Sequence, residues 1–320
     1  MITSTVRRTV RERSLVSPGD HVLIACSGGP DSMSLMHVLH RLRVDLGITL
    51  CAASIDHGLR PDSAAEVAQV AAFATTLGMP FYSALIDVPQ EGVSIQARAR
   101  ALRYQALQEI AAAHGASLIA VGHTQDDQAE TVLARMLRGA GLRGLGGIEA
   151  RRSDGVVRPL LDCRRSDVRA YALEHDVPFV DDPSNHQRSF ERARIRHEVL
   201  PVLLSEDPRV VEHLSALGDE AAELNAYLRR QLPELPSSGR RSVDAQMLAA
   251  LPPPLRIRWF RGWIAEETGL TPSRRHLAEL GRLLTGRGEV LLGSGWSVCR
   301  HSGRLSLEYR EHRRTRSNRS

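Results

Sequence analysis

The sequence predicts an α/β protein: a mainly parallel sheet with flanking helices, followed by a smaller domain of mixed helices and strands. Three observations carry this. Through the first half, short apolar runs alternate with longer segments whose apolar residues recur at helical spacing. Glycine-bearing or polar turns follow the runs, where a βαβ architecture places its ligand-binding loops. Near Leu200 to Pro208 the composition shifts, and Gln231 to Arg240 reads as a Pro/Ser/Gly linker before a second patterned region.

Taken in order, His21 to Cys26, Ile48 to Ile55, Phe81 to Asp87 and Ser117 to Gly122 read as strands. Between them, Ser32 to Arg43, Ser63 to Leu77 and Ser94 to His114 read as helices. Val210 to Arg230 reads as one long helix. From Ser242 to Tyr309 the pattern is helix, helix, then short alternating strands, with Gly286, Gly288, Gly293 and Gly295 as turns. The expected organisation is a catalytic domain over 1–215, a helix and linker over 216–241, a small domain over 242–310, and a disordered arginine-rich tail over 311–320.

Composition narrows the class. Hydrophobic residues make up 42% and charged residues 25%, ordinary for a folded protein, while only 4% are aromatic, so aliphatic side chains must fill the core. No stretch approaches the roughly 20 apolar residues of a membrane helix, and the N-terminus lacks the apolar run of a signal peptide, so a cytoplasmic, membrane-free protein is expected. Cys26, Cys51, Cys163 and Cys299 are far apart and form no Cys-x-x-Cys pair, which argues against a disulfide framework or an ordinary zinc or iron–sulfur site. The net charge is +5, and no lysine occurs, so all 42 fixed basic groups are arginines. Their planar forks suit phosphate and stack on bases, although base composition of the source genome is a sufficient cause of the bias.

The first strand runs into Ser27-Gly28-Gly29-Pro30-Asp31-Ser32, and a helical pattern starts at once. Glycines let the backbone turn with its amides inward, and the helix N-terminus adds a positive dipole end, so the loop suits an anion such as phosphate. The other reading is a plain turn with Ser32 or Asp31 capping the helix. No lysine follows the glycines, so this is not a Walker A loop.

Further motifs follow the later strands. Asp56-His57-Gly58-Leu59-Arg60 stands after the second, where His57 either meets a ligand or caps nearby backbone. The third helix carries Arg100, Arg103 and Tyr104 within about one turn, either as a site or as a solvated face. After the fourth strand comes Gly122-His123-Thr124-Gln125-Asp126-Asp127-Gln128-Ala129-Glu130-Thr131, in which Asp127 and Glu130 share a helix face. Like charges so placed require a cation between them, such as a lysine ammonium or Mg²⁺; Asp126 is accounted for by the helix dipole alone. Arg138 to Gly147 contains Gly-x-Gly-x-x-Gly, but a helix rather than a strand precedes it, which excludes a dinucleotide loop. Arg158-Pro159-Leu160-Leu161, Asp182-Pro183-Ser184-Asn185 and Arg192-Ala193-Arg194-Ile195-Arg196 complete the set; the last meets phosphate or is a solvated helix start.

The strand–SGGxDS–helix arrangement resembles the loop of the N-type ATP pyrophosphatase (PP-loop) superfamily, with its adenine nucleotide alpha hydrolase-like fold. The motifs from His57 to Arg196 resemble those of the tRNA(Ile)-lysidine synthases, with Gln96 and Ala101 where that family often has glutamates and Ala193 where it has asparagine. The match covers about residues 20 to 205, with weaker pattern similarity over 242–309. The resemblance implies a ligase that uses ATP to adenylate C2 of the wobble cytidine (C34) of the CAU-anticodon isoleucine tRNA, and free L-lysine as nucleophile. It assigns Ser27, Gly28, Gly29, Pro30, Asp31, Ser32, His57 and His123 to ATP; Asp31 to Mg²⁺, held largely through ATP; Asp127 and Glu130 to lysine; Asp31, Arg103, Asp127 and Glu130 to catalysis; and Arg100, Arg192, Arg194 and Arg196 to phosphate or tRNA. A tRNA thiolation enzyme, a small-molecule adenylating ligase and a nucleotide-sensing RNA-binding module are the alternatives. Trp259, Trp263 and Trp296 are expected in the core of the small domain.

Overall fold

The computed structural model describes residues 2–56, 63–87, 95–180, 191–235, 239 and 241–310. His57, Asp182 to Asn185 and the expected tail over 311–320 lie outside the described residues. Two compact units divide between Glu223 and Leu224.

The first unit is built on five strands: β1 His21–Ala25, β2 Thr49–Asp56, β3 Phe81–Leu85, β4 Leu118–Ala120 and β5 Val156–Val157. Their order is β3-β2-β1-β4-β5 and every pairing is parallel. Because β1 has the early strand β2 on one side and the later β4 on the other, the chain reverses its winding there, which opens the crevice where such sheets bind ligands.

Strand alternation divides the apolar side chains between two cores. Val22 and Ile24 of β1 join the larger one, with α2 (Pro30–Leu46), α7 (Arg165–Glu174) and α1 (Ile2–Glu12). Leu23 joins the other, with Tyr104, Leu107 and Ala111 of α4 (Ile95–Ala113). The helix α3 (Ser63–Thr76) packs Val70 and Ala74 into the larger core. Burial on both faces explains why these strands read as continuous apolar runs.

The helix α5 (Gln125–Leu137) follows β4, with a short turn α6 (Leu142–Leu145) after it. Then α8 (Glu191–Arg194) leads through a π-helical turn, Ile195–Val199, into α9 (Leu200–Glu206), and α10 spans Val210–Arg230. Ile195, Leu200, Val211 and Leu214 pack on Ala129, Val132 and Leu133 of α5, fixing the Arg192–Arg196 segment against the acidic helix.

The second unit has an antiparallel sheet of order β6-β9-β8-β7, from β6 Ser242–Asp244, β7 Glu289–Gly293, β8 Trp296–His301 and β9 Arg304–Tyr309. Its helices are α11 (Ala245–Ala250), α12 (Pro253–Thr268) and α13 (Arg274–Leu283). Trp259, Phe260 and Trp263 are buried among Leu277, Leu280 and Leu305, and Trp296 packs on the edge of this core, so the tryptophans fill the interior as their sequence context suggested. Among the described residues no helix is long and apolar enough to cross a membrane.

Candidate active site

The phosphate loop forms where β1 hands the chain to α2. Gly28 adopts φ +81°, a left-handed conformation that favours glycine, and turns the loop back toward the helix. Gly29 is the N-cap, Pro30 opens α2, and no side chain caps the first turn, so its amide dipoles are left for an incoming anion. Ser32 holds the loop in shape: its Oγ accepts from the Ser27 amide at 3.1 Å and donates to the Gly29 carbonyl at 3.0 Å. At the end of β4, a Cβ on Gly122 would stand 3.1 Å from the backbone of Asp31 and Ser32, so the absence of a side chain lets β4 and the loop close together.

Asp31 is the loop's one acidic group. Its Oδ1 is buried and has no partner. Burial, reinforced by the Asp127 carboxylate, pushes its carboxyl up to about 7, although Arg165 and Arg196 pull the other way. An uncompensated carboxylate oxygen beside a phosphate cradle is the donor a hard divalent cation takes, so the site fits Mg²⁺.

The acidic pair lies on α5. The Thr124 amide and hydroxyl both donate to Asp127 Oδ2, at 2.8 and 2.9 Å, which fixes Asp127 as the capping-box residue of this helix. Glu130, one turn on, is 0% exposed. The cation that the pair demands is provided by the chain itself, from three arginines that each bridge both carboxylates. Arg165, at the start of α7, donates to Asp127 Oδ1 at 2.9 Å and Glu130 Oε1 at 3.0 Å. Arg192, on α8, donates to Asp127 Oδ1 and Glu130 Oε2, both at 3.0 Å. Arg196, in the π-helical turn, reaches Glu130 Oε1 at 2.7 Å, Glu130 Oε2 at 3.0 Å and Asp127 Oδ1 at 3.3 Å. Burial would raise the Asp127 carboxyl, but Arg165, Arg192 and the Thr124 amide together hold it well below the usual carboxylate range. Arg165 also places its Nε 3.9 Å from Asp31, so one guanidinium links the acidic pair to the phosphate loop. Asp126 accepts from the Arg165 amide at 2.7 Å and lies 3.5 Å from Arg164. Its role is to seat α7.

A basic cluster flanks the pair. His123 accepts at Nδ1 from Arg158 Nε at 3.0 Å, and burial, with Arg158, Arg192 and Arg100 outweighing Asp127, lowers its pKa to about 3, so the ring is neutral. The guanidinium groups of Arg100, Arg103 and Arg152 stand 5.2, 5.8 and 5.2 Å from the Tyr104 ring centroid. Burial lowers the Arg103 pKa, and among the described residues Arg103 has no carboxylate partner. Arg194 is exposed, on the side of its helix away from Arg192 and Arg196.

The glycine run after α5 has a bracing role. Arg135 Nη1 donates to the carbonyls of Gly144 at 2.8 Å and Gly147 at 2.7 Å, and Gln128 Oε1 accepts from the Ile148 amide at 2.5 Å. These bonds fold the run back over the helix that carries the acids. Arg165 and Arg164 were not singled out from the sequence, and Arg158 was named only as part of a motif. The signal that would have found them is the requirement for cations itself: two buried carboxylates in a chain without lysine must be met by arginines.

A phosphate cradle at the switch point of a parallel sheet defines a nucleotide-binding α/β protein, and residues 2–203 match the PP-loop domain family. Residues 244–306 match the TilS substrate binding domain. A tRNA(Ile)-lysidine synthase of Salinispora tropica is 40% identical over 320 residues, covering 95% of each chain. Those of Thermobifida fusca and Gloeobacter violaceus are each 36% identical, the first over 95% of this chain and 96% of its own, the second over 86% of each. The chain belongs to the tRNA(Ile)-lysidine synthase family. Among solved structures, the U34-tRNA thiolase NcsA from Methanococcus maripaludis has the same fold, with a TM-score of 0.59 at 16% identity over 69% of this chain and 78% of that one.

Proposed function

We propose that the chain joins free L-lysine to C34 of the CAU-anticodon isoleucine tRNA, using ATP to adenylate C2 of the base and releasing pyrophosphate and AMP. One observation carries the reading: a buried acidic pair, Asp127 and Glu130, tied by Arg165 to Asp31 of the phosphate loop. Family membership supplies the tRNA substrate.

In the first step the amides of the Ser27–Ser32 loop and the N-terminus of α2 receive the phosphates of ATP, and the base oxygen attacks the α-phosphorus as pyrophosphate leaves. Asp31 would hold Mg²⁺ against those phosphates, and the ion would offset their charge. Neutral His123 would offer the nucleotide hydrogen bonding without added charge, while Arg103, lacking a carboxylate partner among the described residues, is proposed to meet a phosphoryl oxygen. His57, assigned to ATP by resemblance, lies outside the described residues. Arg100 and Arg194 remain proposed contacts to phosphate or tRNA.

In the second step the lysine ε-amine attacks C2 and AMP leaves. Deprotonating an amine of pKa near 10.4 at pH 7 costs roughly 4.6 kcal/mol, so the site must bind the ammonium and then take its proton. Asp127 and Glu130 are proposed for both tasks. A carboxylate clasped by guanidinium groups is a weak base, so the proton acceptor is one that has been released from them.

A thiolation enzyme of the same fold needs a reactive sulfur ligand set. Here all four cysteines are buried and free, and burial pushes Cys26 and Cys163 up to about 12. Single-turnover release of pyrophosphate from ATP and Mg²⁺, measured without lysine, tests the adenylation step. It should require the isoleucine tRNA and be lost with Asp31→Asn; release independent of tRNA would favour a small-molecule ligase.

A further inference from the structure

The acidic pair assigned to lysine has no open acceptor site. Glu130 accepts four hydrogen bonds, two at each oxygen, all from guanidinium groups. Asp127 accepts three at Oδ1 from guanidinium groups and two at Oδ2 from Thr124. A carboxylate offers about four lone-pair sites, so both are filled. An ammonium entering this state would lack acceptors and would face three guanidinium groups at once.

The three arginines are not equally held. Arg165 is anchored by its own amide on Asp126, lies at the start of a ten-residue helix, and faces Asp31 as well as the pair. Arg192 has a side chain 44% exposed and belongs to the four-residue α8, and Arg196 follows in the π-helical turn. Among the described residues both donate hydrogen bonds to the acidic pair alone, and both extend from a segment held against the same helix α5 by the buried apolar anchors Ile195 and Leu200. The phosphate loop lies on the far side of Arg165, within one guanidinium of the clasp. Phosphoryl oxygens compete well for arginine because they accept bidentately and carry more charge than a carboxylate.

From this geometry we propose that Arg192 and Arg196 are exchangeable counter-charges: they occupy the cation site of Asp127 and Glu130 in the nucleotide-free enzyme, and the phosphates of bound ATP draw them off, opening the pair to lysine. The proposal rests on the lysidine-forming reading. It orders the reaction, because lysine then binds well only once the nucleotide is in place. It also relieves Asp127 of the charges that hold its carboxyl low, turning an anchored anion into a usable base. The coupling is reciprocal, so lysine tightens nucleotide binding by the same factor.

The test is calorimetric titration of the full chain with L-lysine, alone and with Mg²⁺ and the non-hydrolysable analogue α,β-methylene ATP. The analogue should tighten lysine binding about tenfold, a coupling in the ordinary range for linked sites. Arg192→Gln, and separately Arg196→Gln, should tighten lysine binding without nucleotide and shrink the nucleotide effect to about twofold or less. Equal lysine affinity with and without the analogue, or weaker lysine binding in both variants, overturns the exchange. Tightening by an isoleucine tRNA anticodon stem-loop but not by the analogue also overturns it, assigning the displacing phosphate to RNA. A parallel assay of labelled lysine transfer to tRNA separates the two levels: transfer with nucleotide-independent lysine binding defeats the exchange alone, whereas neither binding nor transfer defeats the lysidine-forming reading with it.

Discussion

Replacing Glu130 by glutamine removes one of the two carboxylates that hold three guanidinium groups together, while keeping the side chain's size. Glu130 is 0% exposed and accepts four charge-assisted hydrogen bonds, at 3.0, 3.0, 2.7 and 3.0 Å. Breaking a buried ion pair by removing one partner costs about 3–5 kcal/mol. The cost here is smaller, because Arg192 is 44% exposed and Arg196 26%, so both reach water, and Asp127 remains. A loss of about 2–3 kcal/mol is expected, corresponding to a melting temperature lower by roughly 4–12 °C for a unit of this size. Urea unfolding followed by circular dichroism, at low and high salt, measures it. Since the pair is buried, 0.5 M salt should change the difference little. A variant within about 0.5 kcal/mol of wild type, the range of ordinary surface changes, would show that the clasp does not form in solution.

Four further outcomes follow from the structure. The Asp31 carboxyl is raised from 3.8 to about 7, so the folded state keeps a proton that the unfolded chain releases; stability should fall as pH rises from about 4 to 7, and Asp31→Asn should flatten that slope in denaturation curves taken across the range. Because Mg²⁺ requires the ionised form, Mg²⁺-dependent nucleotide affinity should fall by up to about tenfold per unit below pH 7 in the wild type; a flat profile contradicts the assignment. Gly122→Ala places a Cβ 3.1 Å from backbone atoms of Asp31 and Ser32, and should weaken nucleotide binding through about 1–3 kcal/mol of strain; unchanged binding by titration would mean the loop does not need this close approach. Trp263→Ala, at a position 1% exposed, should destabilise the C-terminal unit by about 3–5 kcal/mol in thermal unfolding, and a loss below about 1 kcal/mol would remove it from the core.

Much of the fold was legible because each strand is a continuous apolar run closed by a turn. The helix read as Val210 to Arg230 is α10 with the same bounds, and β1 to β4 fall within a few residues of their expected positions. The elements that escaped have weak local signals. β5 is two residues long and exists only because β4 offers it an edge. The helix α1 shows its apolar stripe as Ile2, Val6 and Val10 among arginines, too sparse to stand out without the sheet it covers. At the site, motif spacing located the phosphate loop and the acidic pair, since each is a contiguous segment at a strand end. It did not pair the acids with their cations: Arg192 and Arg196 were expected at phosphate or tRNA, and Arg165 was not singled out. Arg165 meets Glu130 from 35 residues away and Arg196 from 66, and only the tertiary fold brings those distances to 3 Å or less. The expectation of a ligand cation between the acids followed correctly from electrostatics, but the chain's own arginines satisfy the same requirement.

The most direct measurement of the central claim is transfer of labelled lysine to RNA. Purified protein would be incubated with ATP, Mg²⁺, labelled L-lysine and an isoleucine tRNA transcript bearing the CAU anticodon, and label retained on the RNA counted. Retention that requires ATP and is lost with Asp31→Ala and with Asp127→Ala is the predicted result. No retained label, despite tRNA-dependent pyrophosphate release, would contradict lysine as the nucleophile.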